Sequence, residues 1–142
     1  MTPLRIALAI IFGFMAGSAV NMGLVLVSGH LIPPPPGIDL ADPVALKAAL
    51  PLLGPQYFLF PFLSHALGTL VGALLACLFA PAGKEWTAWV IGLMFLAGGI
   101  AAAVMIPAPA WFLFVDLALA YIPMAWLGIR IGETLSRKSA TF

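Results

Sequence analysis

The stretch WFLFVDLALAYIPMAW, residues 111–126, carries one acid, Asp116, in an otherwise apolar run that also holds Tyr121. An ionised and unpaired carboxylate inside a bilayer costs at least about 2.5–3.5 kcal/mol, so Asp116 calls for a partner or a cavity. At 1.5 Å per helical residue it lies about 8 Å inward from Trp111. Two other strongly polar side chains fall near that level. His65 lies about 12 Å into its own apolar stretch counted from Tyr57, and Asn21 about 12 Å before Gly29. Carboxyl, imidazole and amide on separate helices at one depth can do two things: hold the helices together as interhelical hydrogen bonds, or line a polar cavity that binds a head group or carries protons. Tyr121, Ser64 and Thr69 add hydroxyls, although helical Ser and Thr often bond their own backbone. Asn21, His65, Asp116 and Tyr121 form the candidate polar cluster, as packing glue or as a ligand site.

Other chemistry finds little support. The residues His30, Asp39, Asp42 and His65 are hard to gather and show no HxxH or HExxH spacing, so no metal site or cofactor is expected. Ser64 and His65 are adjacent in sequence and point to different helical faces, outside any nucleophile-elbow motif, so an enzyme is not expected. Cys77 has no second cysteine to pair with and reads as a small hydrophobe.

Only a membrane protein suits the elements that carry these residues. Of 142 residues, 63% are hydrophobic and 8% charged, and the mean hydropathy is +1.15, more apolar surface than a soluble domain of this length can bury. The net charge of +1 comes without a basic run, which gives nucleic acid no purchase. Membrane lipids are the expected surroundings.

Four segments match the roughly 20 residues that cross a bilayer: about 5–29, 57–80, 86–106 and 111–132. The first continues well past the apolar core of a signal peptide and is expected to be a retained span. The fold class is therefore all-α: one integral membrane domain over 1–142, an antiparallel bundle of four transmembrane helices. Both termini share a side with Arg5, Lys84, Arg130, Arg137 and Lys138, against Lys47 alone on the other, which predicts cytoplasmic termini.

The one long connection, 30–56, then lies outside. Its four prolines, 33–36, favour polyproline II, and DPVALKAALPLLG predicts a short helix with Asp42 as N-cap and Pro43 at the first turn. This helix is expected to be an interfacial element or a lid, the alternative being a plain spacer. Small residues at spacing four (Ala9, Gly13 and Gly17; Ser64, Gly68, Gly72 and Ala76; Gly128 and Gly132) predict close helix contacts, within the bundle or between copies. Gly98 and Gly99 are expected to leave room at the polar level. Pro123 predicts a kink in mid-span, since it frees the carbonyl of Leu119.

The strings NMG (21–23), LIPPP (31–35), FLFPFLSHALGTLVGALLA (58–76), PAPAWF (107–112) and DLALAYIPMAWLG (116–128) resemble a group of small, uncharacterised bacterial inner-membrane proteins. The resemblance implies a bacterial source and a four-helix membrane fold; it implies no site residue, ligand or activity. The expectation is a non-enzymatic accessory or assembly subunit, alone, as a homo-oligomer or beside a larger membrane complex. The alternative is a binding or transport unit for a lipophilic or weakly polar solute, with its polar cavity in the outer half of the bilayer and 30–56 as lid.

Overall fold

A computed structural model describes residues 2–39, 42–81, 85–106 and 108–139, the side chains of 138 and 139 excepted. Lys84 and Pro107 thus lie outside the described residues. The helices are α1 (Thr2–Leu31), α2 (Pro43–Ala49), α3 (Leu59–Phe79), α4 (Trp86–Met105), α5 (Ala110–Leu119) and α6 (Ile122–Ser139). Among the described residues there is no strand.

Four stretches are long and apolar enough to cross a membrane: Thr2–Leu31, Pro55–Phe79, Trp86–Met105 and Ala110–Arg137. The protein is an all-α, multi-pass membrane protein. The start of α1 and the end of α6 lie at the end of the bundle where Phe12 meets Phe79 and a Cβ on Gly132 would meet Cys77, and the described residues of 30–56 cover the other, the loop end.

Lipid tails are as apolar as leucine, so close backbone approach has to bring membrane helices together. In α1 only Ala9, Gly13 and Gly17 are buried. A Cβ on Gly13 would sit 2.6 Å from the carbonyl oxygen of Gly72, and one on Gly17 2.5 Å from that of Gly68. The first two ridges of small residues therefore interlock within one chain. The third does likewise: a Cβ on Gly128 would lie 2.9 Å from the Leu70 carbonyl oxygen, and one on Gly132 3.0 Å from Cys77 Sγ. Helix α3 is central, with α1, α4 and α6 all packed against it.

The fourth span is two helices, where one kinked span over 111–132 was expected. The α5 ladder ends with the Ala120 amide donating to Asp116 (2.9 Å), and the α6 ladder begins with the Ala125 amide donating to Tyr121 (2.8 Å). Pro123 has no N–H to donate to the Leu119 carbonyl and its ring crowds that carbonyl, which opens the chain at Ala120 and Tyr121. Beyond 132 the chain stays helical to Ser139, because Glu133, Thr134 and Arg137 continue the helix as a polar extension past the apolar stretch.

At the loop end, Gly37 adopts φ +83 and the Ile38 amide donates to the Pro35 carbonyl (3.1 Å), a type II turn whose third position favours glycine. Asp42 caps α2 through the Val44 amide (3.0 Å), with Pro43 at the first helical position. A short 3-10 turn, Leu50–Leu52, ends this helix before Gly54. Leu50 is buried with Phe58 and Phe112, and Leu46 and Leu53 pack on the same cluster. Val44 and Leu52 face away and are exposed. This amphipathic piece is seated on the bundle as a roof.

Candidate functional site

Beneath that roof lies a cavity of about 660 Å³, bordered by the ends of α1, α3 and α4, by α5 and by the 30–56 segment. Its wall is mostly apolar: Leu46 and Leu50 from the roof, Val25 from α1, Ala103 from α4 and Phe112 from α5. Ala102, Ala103 and Gly99 on α4 are small, and the space they leave is part of the cavity.

His65 and Asp116 both border this cavity. His65 Nδ1 lies 2.9 Å from Asp116 Oδ1 and 3.0 Å from Oδ2, and the Tyr121 hydroxyl donates to Oδ2 at 2.9 Å. Asp116 is 3% exposed and Tyr121 1%, whereas the His65 side chain keeps 25% of its surface open. The Tyr121 ring also stacks beside the imidazole, with centroids 5.7 Å apart and planes 29° from parallel. One tyrosine thus fixes the acid by hydrogen bond and the base by ring contact.

The backbone explains why these three meet. Residues five apart in a continuous α-helix point about 140° away from each other. The break at Ala120–Tyr121 removes that constraint and lets the Tyr121 hydroxyl return to Asp116. Gly99 supplies the space: a Cβ there would overlap the Tyr121 hydroxyl and ring. A Cβ on Gly98 would meet nothing within 4 Å, so no neighbouring side chain fills the space there, contrary to the expectation for this glycine.

Asn21 does not join the cluster. It is half-buried on α1 against Gly68, where an added Cβ would come within 3.1 Å of Asn21 Cβ, and it makes no hydrogen bond with His65 or Asp116. It meets α3 at Gly68, about one turn along that helix from His65.

Thr69 donates to the His65 carbonyl (2.7 Å) and Ser64 to the Pro61 carbonyl (2.8 Å), so both hydroxyls serve their own helix. Leu46, Leu50 and Phe112 line the cavity; sequence reading gives the two leucines to the apolar face of the 43–53 helix and Phe112 to the outer aromatic belt, and assigns none of them to a site. Among the described residues, no three His, Cys, Asp or Glu side chains are gathered as a metal site.

No protein-family model, curated protein or solved structure matches the chain. The reading of the site therefore stands on its geometry.

Proposed function

We propose that this protein is a non-enzymatic binding unit for a lipophilic, weakly polar solute, held in the roofed cavity with its polar end at the His65–Asp116 pair. The observation that carries this is the combination of a ligand-sized, mostly apolar cavity with a fixed acid–base pair at its wall, the usual composition of a small-molecule site. Packing glue needs no such space beside it. The cavity lies in the outer half of a bacterial inner membrane, with both termini in the cytoplasm. Arg5, Arg130 and Arg137 at the terminal end against Lys47 at the loop end support that orientation.

Mass spectrometry of organic extracts tests the reading. Protein purified from its own membranes in mild detergent should carry one neutral amphiphile in near-stoichiometric amount. Ala103→Phe, which places a ring in the cavity without touching the acid–base pair, should lose it while remaining folded. Identical extracts from both proteins would sink the proposal.

The accessory-subunit reading, as a second role, turns on the outer face of α1. Only 11% of the apolar 18-residue window of α1 is buried, with Phe12, Met15 and Met22 all exposed on it. Lipid covers such a face as well as a partner does. Native mass spectrometry from nanodiscs separates the two, and a monomer with lipid alone would remove the subunit role.

A further inference from the structure

The cavity is walled unevenly. On the side of α3, α5 and the roof its lining is closed: Leu50, Phe58 and Phe112 are buried, and Leu46, Leu53 and Leu113 half-buried. The exposed lining residues are Val25, Leu26 and Gly29 of α1, Ile106 just past α4, and Pro34 and Asp39 of the loop. They outline a mouth between the last turns of α1 and the end of α4.

Side-chain size explains why the two helices part there. Lower in the bundle α1 and α4 meet at Phe95: its ring lies 5.5 Å from that of Phe14, and a Cβ on Gly17 would come within 2.9 Å of its Cζ. Ala102 and Ile106 follow Phe95 at spacings of seven and four, on the same face of α4, and Val25 follows Gly17 two turns along α1. At that level the two faces border the cavity on either side. A phenylalanine fills the space between the helices; Ala102 and Ala103, one or two turns on, are too short to fill it.

Both lips of the mouth are apolar. Leu26 and Leu31 on α1, and Val104, Met105 and Ile106 on the other side, are large and exposed, and all but Ile106 belong to membrane-crossing stretches. Contact with water would cost such surface about 25 cal/mol per Å², so lipid covers it. Toward the water side, Leu46, Leu50 and Leu53 of the roof lie over the cavity.

Resting on the binding function proposed above, we propose that the cavity is loaded from the side: its occupant is an amphiphile dissolved in the leaflet at the loop end, which passes between Val25 and Ile106 instead of crossing water beneath the roof. A volume of about 660 Å³ is that of a site for a drug-sized molecule, which suits a compact or single-chain amphiphile.

A phosphatidylcholine with an aryl diazirine at the end of one short acyl chain tests this, because its head group holds it in the bilayer. The protein is irradiated in nanodiscs of this lipid and, in a parallel sample, with the same aryl diazirine carried on a water-soluble sulfonate; adducts are mapped by tandem mass spectrometry. The lipid probe should label Leu50 and Phe112, which are buried apart from their cavity side, together with Val104, which faces outward. The sulfonate should label the two wall residues far less. Val25→Trp, which puts a ring in the mouth on a helix that carries neither member of the acid–base pair, should lose the wall label and keep that on Val104. Wall labelling by the sulfonate as strong as by the lipid, or an undiminished wall label in Val25→Trp, overturns side entry and leaves the binding function standing. Label on Val104 with none on the wall from either probe overturns both, since no occupant could then reach the cavity.

Discussion

Two adjacent glycines of α4 should respond in opposite senses to the same substitution. In Gly99→Ala the new methyl overlaps the hydroxyl and Cζ of Tyr121 and stands 2.9 Å from its Cε2. Tyr121 has little freedom to yield, being 1% exposed, hydrogen-bonded to Asp116 and stacked on His65. Overpacking of this kind costs about 1–3 kcal/mol. Displacing the hydroxyl from Asp116 adds about 0.6 kcal/mol, the average for hydrogen bonds between membrane helices, with about 1.7 as an upper value. Alanine recovers about 1 kcal/mol through its better helix propensity. The net expectation is a loss of about 1–3 kcal/mol. In Gly98→Ala the methyl meets nothing within 4 Å, leaving only the propensity gain, about 0–1 kcal/mol of stabilisation. Reversible unfolding in bicelles or mixed micelles, run on both variants against wild type, reads the difference directly. Equal effects at the two positions would refute the placement of Tyr121 under Gly99, and with it the account of how the acid is held.

Two further outcomes follow from the same packing. Tyr121→Phe keeps the ring against His65 and removes only the donor to Asp116, so it should cost about 0.6–1.7 kcal/mol in the same unfolding assay; no loss at all would show the hydroxyl to be idle. Gly17→Leu drives a side chain into the Gly68 carbonyl oxygen, 2.5 Å from its Cβ, where backbone cannot give way, and should cost about 3 kcal/mol or more; a folded, unshifted variant would contradict the α1–α3 interlock.

Much of the scaffold is legible in sequence because membrane constraints are one-dimensional. Apolar length gives the spans, and the bounds of the second and third agree with the structure to within a residue or two. Spacing-four glycines give the contact ridges, and Asp42 before Pro43 gives the start of the roof helix. Depth is legible for the same reason, since it is only residue count times rise, and it brought His65 and Asp116 to one level.

Azimuth is harder to read. All-round apolar helices lack the polar face that would show which side turns inward, so nothing in the sequence separated Asn21, which faces Gly68, from His65, which faces Asp116. The same limit hid Tyr121's partner. At five residues from Asp116 a regular helix would keep the two apart, and only the chain break ahead of Pro123 brings them together. The cavity belongs to neither register nor motif. It arises where four helix ends and a docked loop fail to fill space, a property of the assembled bundle.

An experimental structure of the protein taken from its own membranes, without added ligand, tests the central claim most directly. The account predicts density for a small amphiphile beneath Leu46 and Leu50, with a polar atom within hydrogen-bonding distance of His65 Nε2. A cavity collapsed by side chains, or an imidazole turned away from Asp116 toward acyl chains, would contradict it.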